Sequence, residues 1–178
     1  MKTAIVIGHT TLAQGAYSPF LKIREWAFNK CIAEELQDVA DIYHYNPYNP
    51  SYTSRVQQLS KKINQGNYSL VLELHFNASK KPHANGCEAL YYFENKSAKD
   101  WAKYFCELIH QGTGIKNRGA KPLYKKSQRG FAAVYYPEPT TLILEPFFGT
   151  NKKDCELFNE DMYILAIREL IKSYNHDR

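Results

Sequence analysis

The chain lacks most of the devices that anchor or staple a protein. No run approaches the ~18 apolar residues a membrane helix requires, so nothing in it is expected to span a bilayer. The opening MKTAIVIGHT holds an apolar run too short, and too soon followed by polar residues, for a secretory leader; synthesis and folding in a cytoplasm are expected. Its four cysteines, Cys31, Cys87, Cys106 and Cys155, include no CxxC pair. That excludes a zinc ribbon and a thioredoxin-type motif and leaves reduced, mostly core thiols. Nothing resembles a helix-turn-helix, an RNP motif or an OB-fold pattern, so nucleic acid is not an expected partner. Internal repeats, low-complexity tracts and linkers are also missing, which predicts one domain over residues 1–178.

What is present describes an ordinary soluble domain. With 178 residues the chain can bury roughly two-thirds of its unfolded surface, and 44% apolar against 23% charged residues is a globular balance. The net charge of +5 gathers at Lys80-Lys81, Lys121, Lys125-Lys126 and Lys152-Lys153. Such clusters suit contact with a polyanion, though an excess this small also fits a solvated surface.

Apolar periodicity predicts strands at residues 3–8, 41–45, 69–76, 86–93, 131–136 and 140–146. It predicts helices at residues 20–37, from Ser51 or Thr53 to about Gly66, from a Ser97 cap to 111, and from about 153 to 174. Residues 113–129, rich in Gly, Lys and Asn, read as a long loop. Strands alternating with helices imply an α/β fold: a mostly parallel twisted sheet of about six strands with helices on both faces.

Ligands of such sheets bind beyond the carboxyl ends of the strands. His9 follows the first strand, His75 lies near the end of SLVLELHF, and Glu145 ends TTLILE. Any one of these alone is more often a hydrogen-bonded structural residue, but three strands delivering His, His and Glu to one rim form the kind of set a catalytic zinc uses. A third ligand is still needed. Glu25, early in the first helix and so near the His9 rim, is the best candidate; Glu73, two residues before His75 on the same strand face, is its main rival and is read as a core-paired carboxylate.

The segments IGHT, REWAFNK, LELHFNAS, GCEALYY and LILEPFF stand in an order and spacing that resembles the zinc-dependent N-acetylmuramoyl-L-alanine amidases, in particular the catalytic domains of phage endolysins and bacterial autolysins. The resemblance covers nearly the whole chain. It implies a peptidoglycan substrate cut between N-acetylmuramic acid and L-alanine, a Zn2+ cofactor held by His9, Glu25 and His75, and Glu145 as the catalytic residue. No room is left for a separate wall-binding domain, a monomer is expected, and action on the wall would follow release or partner-dependent export. Two other readings remain. A related zinc amidohydrolase or carboxypeptidase would need a carboxylate-binding arginine, for which Arg55, Arg118 and Arg129 are the candidates; a non-catalytic wall or nucleic-acid binder would exploit the fourteen tyrosines.

Overall fold

The computed structural model describes residues 1–177. In chain order the strands are β1 (Lys2–Ile7), β2 (Tyr17–Ser18), β3 (Ile23–Arg24), β4 (Asp41–His44), β5 (Tyr68–Leu74), β6 (Cys87–Tyr92), β7 (Asn117–Leu123) and β8 (Thr140–Glu145). The helices are α1 (Glu25–Glu34), α2 (Tyr52–Gln65), α3 (Lys96–Thr113), α4 (Phe131–Tyr135), α5 (Lys152–Leu157) and α6 (Glu160–His176). Six strands form one sheet in the order β4-β1-β5-β8-β6-β7, while β2 and β3 make a separate antiparallel hairpin. Every pairing in the large sheet is parallel except β6 with β8.

Strand alternation sorts the core into two layers, because successive side chains leave opposite faces. Ile5, Ile7, Leu70, Leu72, Leu74, Leu142 and Leu144 pack on one face against α1, α3 and α6. Ala4, Val6, Val71 and Ile143 face the other way, onto Val56, Leu59 and Ile63 of α2 and the buried residues of α4. Both faces are covered, which is why the central strands read as continuous apolar runs.

The α/β class and the six-strand sheet match the sequence expectation, but one strand lies elsewhere. Residues 131–136 form α4, not a strand. A short apolar run does not distinguish the two states, and here Gly130 (φ 85) turns the chain while two alanines favour the helix. The sixth strand is β7, inside the predicted loop. Among the described residues it pairs only with β6, so Gly119 and Pro122, which would weaken a central strand, are tolerated at this edge.

Helix limits moved for similar local reasons. The β2–β3 hairpin occupies the beginning of the predicted 20–37 helix, so α1 starts at Glu25. α3 is capped by Asn95, whose side chain accepts from Ala98 N at 2.8 Å, instead of Ser97. The last helix divides in two, because Phe158 is extended and Asn159 caps a new helix by accepting from Met162 N. Ser51 does cap α2, and Gly66 ends it.

Candidate active site

β1, β5 and β8 are adjacent in the sheet and parallel, so their carboxyl ends meet at one rim. His9 lies two residues beyond β1. Its φ of 69 is unusual for a residue with a side chain, and backbone conformations of this kind cluster at functional sites. Gly8 keeps the close approach possible: a Cβ there would strike the His75 ring and the Leu74 carbonyl. His75 follows β5 directly. Glu25 arrives from a third direction, set as the first residue of α1 by the β2–β3 hairpin and by its own N–H donating to Ala16 O at 2.9 Å.

These three side chains converge. One nitrogen or oxygen from each of His9, Glu25 and His75 lies within 4.8 Å of the others, a grouping able to hold a metal ion. Glu25 Oε1 stands 2.7 Å from His75 Nδ1, and Oε2 stands 3.0 Å from His9 Nε2. The carboxylate is aimed by two backbone donors, Phe76 N to Oε1 and Ala16 N to Oε2. Over it lies Gly15, at φ 75, where a Cβ would fall 2.6 Å from both Glu25 Oε2 and His9 Nε2.

The fit to a cation rests on an orphaned atom. His9 Nε2 is buried and, despite its nearness to Glu25, makes no directed hydrogen bond. An imidazole nitrogen 3.0 Å from a carboxylate oxygen without a directed hydrogen bond is an arrangement a shared cation satisfies, and two imidazoles with one carboxylate are an established donor set for such an ion. Burial opposes the charge on Glu25, but the hydrogen bond with His75 and the attraction of both imidazoles outweigh it and hold the carboxyl far below its usual range.

Glu73 is not among the converging atoms. It accepts on Oε1 from His75 Nε2 at 2.9 Å and on Oε2 from the Tyr45 hydroxyl at 3.0 Å. The sequence reading of a core-paired carboxylate is therefore right about its burial, at 2% exposure, but did not identify His75 as its partner. With Nε2 engaged by Glu73, Nδ1 is the nitrogen turned toward Glu25 and the converging donor group. Period-2 alternation places residues 73 and 75 on one face, which is the signal that was available for this role.

Glu145 ends β8 and lines the same cavity of about 330 Å³ as His9, Glu25 and His75. Its Oε2 is buried without a partner. Desolvation, reinforced by the negative charges of Glu25 and Glu88, pushes its carboxyl up to about 8, against the opposing pull of His75 and Arg129. Beside it, Glu88 is already satisfied: Asn77 Nδ2 donates to Oε1 and Arg118 Nε donates to Oε2, each at 2.6 Å.

The chain is also similar to known proteins. Residues 4–173 match the family model described as N-acetylmuramoyl-L-alanine amidase. Among solved structures, the catalytic domain of the CD27L endolysin targeting Clostridia difficile is 28% identical, with 97% of each chain covered and a TM-score of 0.79. The CwlD amidase from Clostridioides difficile, in complex with the GerS lipoprotein, is 19% identical over 100% of each chain (TM-score 0.81). The catalytic domain of CwlV from Bacillus (Paenibacillus) polymyxa is likewise 19% identical over 100% of each chain (TM-score 0.75). A search of curated protein sequences gave no match. A family match over almost the entire chain, together with two histidines and a glutamate gathered at the rim of the expected sheet, establishes that this chain belongs to the N-acetylmuramoyl-L-alanine amidases.

Proposed function

We propose that His9, Glu25 and His75 hold a zinc ion and that Glu145 is the acid–base residue of a peptidoglycan amidase cutting between N-acetylmuramic acid and L-alanine. The observation that carries this reading is the convergence of the three donor groups beside a buried, unpartnered carboxylate in one cavity. Zinc, when bound, supplies a Lewis acid that polarises the scissile carbonyl and makes water acidic enough to attack at neutral pH.

The chain's own residues do the rest. Glu25 fixes the spacing of the two imidazoles through its two oxygens, and Glu73 fixes the orientation of His75. Glu145 takes the proton of the attacking water on its free Oε2 and returns it to the leaving amine. A C–O bond forms as the C–N bond breaks, leaving a lactyl carboxylate on the glycan and a free amino group on alanine. A carboxyl held up to about 8 before a cation enters is drawn down by positive charge nearby, toward the range where uptake and release of a proton are both accessible.

The proposal extends to context. The enzyme works as a monomer and meets the wall after release or partner-dependent export. Among the described residues no helix is long and apolar enough to cross a membrane. Purified protein should carry about one zinc per chain, release new alanine amino termini from sacculi, and stop when a chelator removes the metal. Full activity in metal-free protein would overturn the zinc assignment. Products carrying any other new terminus would overturn the bond assignment.

A further inference from the structure

Beyond the histidines, the catalytic cavity runs past Tyr45, Tyr52, Arg55 and Arg129. The sequence singled out three arginines as possible carboxylate anchors, and the structure separates them. Arg118 is committed: its Nε donates to Glu88 at 2.6 Å, its Nη1 donates to Asn85 O, and its guanidinium lies over the Phe148 ring. Arg55 and Arg129 form no ion pair with a carboxylate among the described residues. Arg55 on α2 is half-buried and held by one hydrogen bond, Nη1 to Asn49 O at 2.7 Å, while its buried Nε has no partner. Arg129 sits immediately before the turn at Gly130 that begins α4, and its field is felt by both Glu145 and Tyr52.

An orphaned guanidinium donor in the wall of a cavity is costly to leave unmade unless a ligand completes it. The negative groups of the same cavity do not complete it. Glu25 is engaged by the two histidines, Glu88 by Arg118 and Asn77, and Glu145, though it feels the charge of Arg129, forms no ion pair with either arginine among the described residues. Two arginines on the walls of one cavity are suited to a planar anion, because the guanidinium fork matches a carboxylate.

Resting on the amidase reading above, we propose that Arg55 and Arg129 form a subsite for the stem-peptide carboxylate nearest the cut, so that the enzyme prefers peptides in which that carboxyl is free over those in which it is amidated. Alanine, immediately beyond the scissile amide, has an uncharged side chain, so the nearest carboxylate belongs to the following residue. Two residues of extended chain reach about 7 Å. A cavity of about 330 Å³ is at the small end of ligand pockets, of a size for a short peptide segment and not for a glycan strand.

The test uses disaccharide tetrapeptides identical except that the carboxyl on the residue after alanine is free or amidated. The unaltered, zinc-loaded enzyme is expected to show a kcat/KM roughly 10- to 100-fold higher on the acid, the scale of a charge-assisted hydrogen bond. In Arg129→Gln and Arg55→Gln the acid-to-amide ratio should fall toward one, and Arg55→Lys should restore only part of it, since the charge returns without the fork. Arg55 also holds Asn49, so Arg129, with no such bond, supplies the variant whose result does not depend on that turn. Equal hydrolysis of acid and amide by the unaltered enzyme, or an unchanged ratio in Arg129→Gln, overturns the subsite while leaving the amidase reading intact. If the unaltered enzyme cuts neither compound, the amidase reading itself fails.

Discussion

The two ends of the same sheet are built on opposite terms. At the amino ends of the strands, polar groups find one another: Lys2 pairs with Asp41 at 3.2 Å, the Tyr68 hydroxyl donates to Asp41, Tyr43 and Tyr68 share a hydrogen bond, and Tyr174 donates to Ser69 O. At the carboxyl ends, buried polar atoms are left open. His9 Nε2, Arg55 Nε and Glu145 Oε2 have no hydrogen-bond partner, and all three residues line one cavity. Apart from Thr3 Oγ1, which is buried without a partner among the described residues, the first end is satisfied; under the proposed function, metal and substrate complete the open groups of the second. The contrast shows where function sits in an open α/β sheet without appeal to similarity.

The largest effect should come from removing a ligand. His75→Ala and His9→Ala are expected to lose stoichiometric zinc and, with it, detectable turnover, as read by metal analysis and release of alanine amino termini. Retention of one tightly held zinc in either variant would show that the open atoms at this end are not ligands, and the comparison would break there.

Glu145→Gln should separate chemistry from metal binding. Turnover is expected to fall at least ~10²-fold, the usual worth of a positioned acid–base group, with zinc retained. In the metal-free protein the same change should also stabilise. A carboxyl raised from 4.5 to about 8 in the folded state contributes stability that is present below pH 4.5 and lost as pH rises through 8. Melting curves of metal-free protein at pH 8 should therefore favour Glu145→Gln, and the advantage should vanish below pH 4.5. An advantage that persisted at low pH would place its cause in packing and not in the buried charge.

How far the sequence reaches follows the same division. His9, His75 and Glu145 could be placed at the rim because each lies within two residues of the end of a strongly apolar strand, and strand ends have a known place in this architecture. Glu25 could be located because a short loop returns the chain to the rim. The edge of the sheet was less legible: β7, NRGAKPL, has little apolar signal because an edge strand needs little, while FAAVYY carries an apolar signal shared by strand and helix. Side-chain pairings were least legible. That Arg118 is bound to Glu88, while Arg55 and Arg129 have no carboxylate partner among the described residues, depends on which strands neighbour one another: β7 lies beside β6 in parallel, which sets Arg118 next to Glu88.

Glu73→Gln tests a residue that belongs to both regimes, since it is fully hydrogen-bonded yet stands behind a ligand. If it orients His75, zinc affinity should drop roughly 10- to 100-fold, the usual cost of altering a carboxylate behind a metal-bound histidine. Tyr45→Phe, which removes only the second hydrogen bond to Glu73, should cost less. Competition with a chelator of known affinity measures both. An unchanged affinity with a lowered melting temperature would return Glu73 to a purely structural role.

The smallest effects are expected at the opposite end. Lys2 and Asp41 are 62% and 53% exposed, and an exposed pair is worth at most about 1 kcal/mol. Asp41→Asn should therefore shift the melting temperature only slightly and leave zinc content and turnover unchanged. Its pH dependence should run opposite to that of Glu145. Hydrogen bonds from Tyr68 and Lys2 depress the Asp41 carboxyl below its ordinary 3.8, so its contribution is present above that pH and lost as pH falls through the lowered value. One end of the sheet thus loses stability toward acid and the other toward base, and the double variant Asp41→Asn with Glu145→Gln should show the two changes adding, since the groups share no partners. Strong non-additivity, or any loss of zinc from Asp41→Asn alone, would mean that the two ends communicate through β1 and β5 and are not independent regions of one scaffold.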